Sequence, residues 1–356
     1  MRNLNQKRII FLTIGESGYS RSWTYYNGAR KLGAQVEFKK IDNKNLIRSF
    51  WGLRNQCSSK DVYVVMSPSH YLVIFVRLFL GKTIILDAGW SLFEGTILAR
   101  KNYGFFGWLI FKTYLIDFFS SHLATKIILE SDNQKIFFCK IFLIRMKKTA
   151  VLYTGLDELS INDSPSHIEL PDFFNNSKIV LFRGKYNRES GIEVLAAATN
   201  LLTSEDITFW ILCPGLPEDI LFSRFTYVNR NYIESSDELF NIYKKAQLTI
   251  GQLSANIRLS RTIPHKAFEA AYLSKPYITA RQPAIIELFL EDKEIICIDP
   301  ADYQELASKI KSLILDKHFA EKIGLNMHRK YCEKASQEIL AKLFIEIVLG
   351  KVKENT

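Results

Sequence analysis

The chain has 356 residues, more than one hydrophobic core ordinarily serves, so two domains are expected. Hydrophobic residues make up 47% and charged residues 24%, a balance that excludes an intrinsically disordered chain. The net charge of +10 calls for an anionic partner, and three classes qualify: nucleic acid, an anionic membrane surface or a polyanionic substrate. No basic run with interleaved aromatics and no nucleic-acid motif occurs, so nucleic acid is set aside. The five cysteines (Cys57, Cys139, Cys213, Cys297, Cys332) are scattered without metal-ligand spacing. Reduced cytosolic thiols and no metal site are expected.

In chain order, Met1 to Lys7 is basic and precedes the apolar run Ile9–Ile14, which is too short for a signal peptide and reads as a buried first strand. Further strand-like runs are Val36–Phe38, Val62–Met66, Thr83–Leu86, Lys126–Leu129 and Ala150–Tyr153. Helical patterns fall at Trp23–Leu32, Tyr71–Leu80, Phe105–Ser121 and Asn133–Phe142. Lys112 and Asp117 interrupt the longest apolar stretch, Gly104 to Ser120, and argue against a membrane span. The basic and aromatic residues Arg48, Phe50, Trp51, Arg54, Arg100, Lys101, Tyr103, Phe105, Phe106 and Trp108 suit an anionic bilayer surface; ordinary core aromatics are the competing account.

Leu159 to Asn176 is polar and holds Pro165 and Pro171, which marks a linker over 159–176. Beyond it the alternation resumes with strands at Ile179–Phe182, Ile207–Cys213, Leu248–Ile250, Tyr277–Thr279 and Ile295–Ile298, and helices at Ile192–Leu202, Glu238–Lys245 and Tyr303–Leu315. Continuous apolar strands separated by helices predict an α/β chain of two Rossmann-like, doubly wound domains, 1–158 and 177–335, with 336–356 as a final helix. Ligands are expected at the carboxyl ends of the strands, in the cleft between the domains.

Four loops follow strands on that side. Gly15, Ser17, Gly18 and Arg21 form a small hydroxyl-bearing turn that reads equally as an ordinary helix start. Asp87, Ser91 and Glu94, with two glycines, suit a sugar-hydroxyl or acceptor pocket; a capping aspartate is the alternative. Gly184, Lys185 and Arg188 lie in a glycine-bearing loop that runs into a helix, a pattern fit for a diphosphate. The fourth segment starts a helix at Pro264, where a missing N–H loses no bond. Lys266 and Glu269, three apart, then share one face, with Arg261 just before and Glu287 downstream. A lysine at a helix N-terminus meets a phosphate, and a glutamate one turn deeper accepts from sugar hydroxyls.

At these residues the chain resembles the GT-B-fold glycosyltransferases of the family 4 (group 1) type. The resemblance rests on Ser20-Arg21-Ser22 with Gly28 to Gly33, on Gly184 to Gly191, on Pro264-His265-Lys266…Glu269…Lys275-Pro276, and on Pro283 to Glu287 and Asp299 to Ala307. It implies a nucleotide-sugar donor bound through Gly184, Lys185, Arg188, Arg261, Lys266, Glu269 and Glu287, with Glu269 on the ribose and Lys185 at the diphosphate. It implies a glycan or lipid-linked acceptor near Gly15, Ser17, Gly18, Arg21, Asp87, Ser91 and Glu94. The final helix near Ser336 to Leu349 stands where the family's last helix crosses back to the first domain.

The resemblance also implies retention of configuration, no metal and no cofactor, synthesis of cell-surface polysaccharide, and a cytoplasmic site that is peripheral at the membrane. No catalytic nucleophile is identified. Three departures stand out: Arg261 replaces a second glutamate, Ser190 replaces a lysine, and the usual first-domain histidine has only His70 as a candidate. A nucleotide-sugar epimerase of the same fold and a non-catalytic nucleotide-sugar-binding protein are the alternatives.

Overall fold

The apolar runs form two parallel sheets in the computed structural model of the chain, which describes residues 7–14, 20–58, 60–81, 83–98, 107–161, 178–202, 207–231, 233 and 236–351. The chain divides into two units, Met1–Glu158 with Ser336–Thr356, and Leu159–Ala335.

The first unit holds β1 (Ile9–Ile14), β2 (Val36–Ile41), β3 (Val62–Met66), β4 (Ile84–Gly89), β5 (Lys126–Leu129) and β6 (Thr149–Val151) in the order β2-β1-β3-β4-β5-β6. All neighbours pair in parallel. Parallel strands are covered on both faces and therefore read as unbroken apolar runs. In β1, Ile10 and Leu12 enter one core with Tyr63, Val65 and Phe138, while Ile9 and Phe11 enter another with Val62, Val64 and Phe344. Helices α1 (Ser20–Lys31), α2 (Leu46–Arg54), α3 (Leu72–Phe79), α4 (Gly107–Leu123) and α5 (Asp132–Phe142) complete the layers.

The second unit repeats the plan with β7 (Lys178–Arg183), β8 (Ile207–Leu212), β9 (Thr226–Asn229), β10 (Leu248–Ile250), β11 (Tyr277–Ala280) and β12 (Ile296–Ile298), ordered β12-β11-β10-β7-β8-β9 and again parallel. Its helices are α6 (Ile192–Leu201), α7 (Ser236–Lys245), α8 (His265–Tyr272), α9 (Pro283–Leu288), α10 (Tyr303–Leu315) and α11 (Lys317–Lys334). The expected α/β class of two doubly wound sheets is observed. In both sheets the order reverses beside the first strand, which opens the carboxyl edge at that point.

The last helix, α12 (Gln337–Leu349), packs on α1 within the first unit. Gly28 permits this, because a Cβ there would stand 2.7 Å from the Cβ of Ala341. Tyr25 stacks on Phe344 with centroids 5.5 Å apart. The Gln337 amide Nε2 donates to Asp157 Oδ1 at 2.8 Å, and its backbone N–H donates to Glu158 Oε1 at 2.9 Å. A buried polar pair of this kind fixes the register of an otherwise apolar helix contact.

Three elements differ from the sequence reading. Strand β9 and helices α2 and α11 are additional; β9 is an edge strand whose residues are all half-buried, so it shows no apolar run. Phe50, counted among residues for a membrane surface, is core: it is fully buried and stacks on Phe75 at 5.5 Å. Trp51 and Trp108 of the same group are 59% and 74% exposed. Arg100, Lys101, Tyr103, Phe105 and Phe106 lie outside the described residues. No helix among the described residues is long and apolar enough to cross a membrane.

Candidate functional site

In the second unit, β7 ends at Arg183 and the chain turns at Gly184, whose N–H donates to Leu212 O at 2.9 Å. The loop that follows is folded on itself and on the next strand's loop. Asn187 Oδ1 accepts from the N–H groups of Glu189 and Ser190, both at 2.9 Å, and Ser190 Oγ donates to Asn187 O at 2.7 Å. Ser190, in place of the lysine that the resemblance implies, is therefore a buried loop brace. Gly191 takes φ 63°, and a Cβ there would meet the Ser254 nitrogen at 2.5 Å, so only glycine lets α6 start this close to residues 253–254. The Arg258 Nη1 group donates to both Glu189 oxygens, at 2.9 and 2.8 Å, and joins the same two loops through charge.

Helix α8 lies beside this loop. Pro264 is its N-cap, with ψ 137°, one residue before the expected position, and the helix proper starts at His265. Lys266 and Glu269 emerge inward, 5% and 2% exposed. The Lys266 ammonium lies 4.0 Å from the centroid of Phe182 and donates to Gly251 O at 3.4 Å. A Cβ on Gly184 would come within 3.2 Å of its Nζ, so the glycine is what brings this backbone against the ammonium. Burial, with the repulsion of Arg183 added, pushes the Lys266 ammonium down to about 7.

Glu269 has three partners. Tyr243 on α7 donates its hydroxyl to Oε2 at 2.7 Å, while His265 Nδ1 at 3.0 Å and Arg183 Nη2 at 3.2 Å meet Oε1. Burial alone raises this carboxyl, but Arg183, His265 and Tyr243 together outweigh it and hold the group at about 2. The result is one buried carboxylate flanked by a buried ammonium and a guanidinium. Such a cluster brings a carboxylate and two basic side chains to one place, a setting that suits a ligand with both hydroxyls and negative charge.

The other expected donor residues sit around this centre. Lys185 and Arg188 are exposed on the loop, and Arg261 is half-buried at the end of the turn Ile257–Ser260, its N–H donating to Arg258 O at 2.9 Å. Glu287 is half-buried on α9. Sequence reading missed Tyr243, His265, the pairing of Arg183 with Glu269, and the Glu189–Arg258 pair. Arg183 alone carried a signal, as a cation on the last residue of a strand before a glycine loop.

The carboxyl edge of the first unit is built differently. Arg21, 6% exposed on α1, donates from Nε to Asp87 Oδ1 at 2.8 Å and from Nη1 to Leu152 O at 2.8 Å. Burial raises the Asp87 carboxyl even though Arg21 opposes it. A second cluster centres on Asp117 of α4, which is fully buried. Its Oδ2 accepts from Ser91 Oγ at 2.8 Å and from the Phe93 N–H at 3.0 Å, and its Oδ1 lies 2.7 Å from His70 Nδ1.

Ser91 Oγ also accepts from the Glu94 N–H at 3.0 Å, so the cap of this turn is Ser91 and not Asp87. With one hydrogen bond donated and one accepted, the Ser91 hydroxyl is engaged within the protein, and Glu94 is fully buried beside it. His70 is held at Nδ1, and its Nε2 is buried without a hydrogen-bonding partner among the described residues. Gly15, Ser17 and Gly18 lie outside the described residues. Also among the described residues, no group of three or more His, Cys, Asp or Glu is placed to hold a metal.

Residues 188–341 match the glycosyl transferase-like family. The capsular polysaccharide biosynthesis glycosyltransferase CapM of Staphylococcus aureus is 22% identical over 252 residues, 66% of this chain and 64% of that protein, so the match spans less than two thirds of the relative. The fold is shared with HepE of Anabaena in complex with UDP-glucose (13% identity, TM-score 0.71, covering 96% of this chain and 99% of that one). It is shared also with a sucrose-phosphate synthase of Thermosynechococcus elongatus (12% identity, TM-score 0.74, covering 97% and 99%). Residues 188–341 thus carry the likeness to the glycosyl transferase-like family, and the two sheets share the GT-B fold of these solved structures.

Proposed function

We propose that the protein transfers a sugar from a nucleoside diphosphate sugar to a glycan or lipid-linked acceptor, in the synthesis of a cell-surface polysaccharide. The observation that carries this is the buried Lys266–Glu269 pair at the carboxyl edge of the second sheet, with Arg183 beside it. A carboxylate and fixed cations side by side match the two ends of a nucleoside diphosphate, hydroxyls and phosphates. UDP is the first nucleotide to test, because HepE is described with UDP-glucose and the relative CapM is a capsule glycosyltransferase.

In this reading Glu269 receives the ribose hydroxyls, and Arg183, Lys266 and Lys185 face the diphosphate. As the glycosidic bond breaks, negative charge grows on the leaving diphosphate, and cations already in place stabilise it without reorganising. That supports transfer without a bound metal or other cofactor, and with retention of configuration as in the family. Arg21 and Asp87 are assigned to the acceptor side. The exposed Trp51 and Trp108, with Arg48, Arg54 and Lys112 near them in sequence, support peripheral contact with an anionic membrane on its cytoplasmic face.

The test is thermal stabilisation by a panel of UDP-, GDP-, ADP- and CMP-sugars, followed by product analysis with and without acceptor. Stabilisation by at least one donor and sugar transfer only when acceptor is present are expected. No shift with any nucleotide overturns the reading, and conversion of the donor without acceptor points to an epimerase instead.

A further inference from the structure

The helices on one face of the first sheet are apolar on the side turned away from it. Helices α2 to α5 cover that face, with α2 packed on α3 and α3 on α4, while α1 and α12 cover the other. Ile47 and Trp51 of α2, Leu78 of α3, and Trp108, Phe111 and Phe119 of α4 are exposed there. Ordinary surface helices turn charges of both signs outward, as α11 does with Lys317 and Glu321, 3.6 Å apart. Across α2, α3 and α4 the only acid is Asp117, which is fully buried, and the exposed charges are the cations Arg48, Arg54 and Lys112. Apolar surface rimmed by charge of one sign marks a contact face. A second copy fits it poorly, because a two-fold contact sets the same cations against each other. An anionic lipid surface fits both features.

We propose that the outer face of α2, α3 and α4 docks on an anionic bilayer, with a phospholipid phosphate in the groove beside α2 and with Trp108 and Phe111 in the lipid. The assignment rests on the peripheral membrane contact proposed above and gives it a face, a lipid and an orientation. The groove, about 830 Å³ in volume, is lined by Lys44 and Arg48 and by Ile47, Trp51 and Phe75. Two cations beside three large apolar side chains match a lipid phosphate and the start of its acyl chains. The acid nearest to α2 in sequence, Asp42, caps the preceding turn, accepting from the Lys44 N–H at 2.9 Å and the Asn45 amide at 3.2 Å. Helix α4 sets the orientation. It leads into β5, so it runs from the carboxyl edge of the sheet toward the amino edge. Asp117 is level with the strand ends, since it accepts from Ser91 Oγ and the Phe93 N–H just beyond β4. At about 1.5 Å of rise per residue, Phe111 and Trp108 stand roughly 9 and 14 Å further out on that side. Their ring centroids are 6.2 Å apart, on one face of the helix. Arg21 and Asp87 stand at the same edge, so an acceptor anchored in the membrane meets them without leaving the lipid. Of the two acceptor classes above, this favours the lipid-linked one.

Sedimentation of the whole protein with vesicles tests this, using phosphatidylcholine alone and phosphatidylcholine with about one third phosphatidylglycerol. Wild type is expected to bind the mixed vesicles more tightly. Trp108→Ser with Phe111→Ser lowers that binding roughly tenfold or more, the range for two aromatic side chains withdrawn from lipid. Lys44→Gln with Arg48→Gln lowers the preference for phosphatidylglycerol roughly ten- to thirtyfold, the range for two cations near an anionic surface. Leu315→Ser, at an exposed apolar residue of the second unit, leaves binding unchanged. The melting temperature stays near that of wild type in every variant, which shows that each is folded. Equal binding of wild type and both double variants to the mixed vesicles overturns the face and its groove. If wild type binds neither kind of vesicle, the membrane reading fails first and this face with it. A wild type that dimerises in light scattering, and is split by the Trp108 and Phe111 substitutions, makes the face a contact between copies instead.

Discussion

The two sheets share one plan, yet their carboxyl edges handle charge in opposite ways. In the first unit the buried charges are bound to neighbours of their own unit: Arg21 meets Asp87, and Asp117 gathers His70, Ser91 and the Phe93 N–H. In the second, Arg183 and the buried Lys266 stand with one carboxylate, Glu269. An edge whose arginine is taken by an aspartate suits a neutral, hydroxyl-rich ligand, while an edge that sets two basic side chains beside one buried carboxylate suits an anion. The fold alone does not decide this difference; a handful of side chains at strand ends does.

The largest effect is expected where a charge at the first unit's edge is removed. Asp117→Ala strips the acceptor from Ser91, Phe93 and His70 in a fully buried place and costs about 3–5 kcal/mol of stability, measured by urea unfolding. UDP affinity of the folded protein stays at the wild-type level. A parallel loss of UDP binding breaks the contrast between the edges.

Next comes Glu269→Gln, which keeps the volume and removes the charge. A loss of about 2 kcal/mol, roughly thirtyfold in UDP affinity, is expected by calorimetry. This carboxyl sits at about 2 in the folded protein, below its ordinary value of 4.5. Its contribution to stability is therefore complete above about 4.5 and is lost as pH falls toward about 2. The stability gap between wild type and Glu269→Gln should close over that window, and a gap that persists at the acid end refutes the assignment.

Lys266→Met gives the third test, with two signs. The folded lysine sits at about 7 against an ordinary 10.5, so the folded protein resists protonating a group that the unfolded chain protonates readily. Burying the charge weakens the fold fully below about 7, and the weakening fades as pH rises from there toward 10.5. The methionine variant is thus more stable than wild type, by more at pH 6 than at pH 9, while its UDP affinity falls roughly three- to tenfold. Lower stability at pH 6 shows that Gly251 O and Phe182 more than offset the burial of the ammonium, which is then not held for a ligand.

What was legible in the sequence follows from how each feature is encoded. Strands β1, β3 and β5 stand within the residues read from their apolar runs, because a strand covered on both faces admits little else. Strand β9 was not legible: Thr226–Asn229 is half-buried at an edge and carries no such run. Lys266 and Glu269 were visible as charges on an otherwise apolar helix, and Gly184 as a turn before a helix. Tyr243 was not, since it is 26 residues from Glu269 and lies on an ordinary amphipathic helix. Asp117 counted in the sequence only as an obstacle to a membrane span, yet it is the centre of a buried polar cluster. Spacing along a chain shows which residues share a face; pairing between elements depends on contacts that only the folded sheet creates.

The smallest effect sharpens the contrast within the second edge itself. Lys185 is exposed on the loop after Gly184, whereas Lys266 is buried beneath it. An exposed lysine attracts a diphosphate through water, holds it with a flexible stem and is screened by salt, so Lys185→Ala should lower UDP affinity only about two- to fivefold. Raising ionic strength to about 1 M shortens the screening length to roughly 3 Å and should erase the difference between this variant and wild type. The loss in Lys266→Met should survive the same salt, because counter-ions do not enter the buried space between Phe182 and Gly251. If both losses vanish together, the two lysines act as one diffuse positive patch. If only the Lys185 loss vanishes, the buried ammonium makes the contact and the exposed one guides the approach.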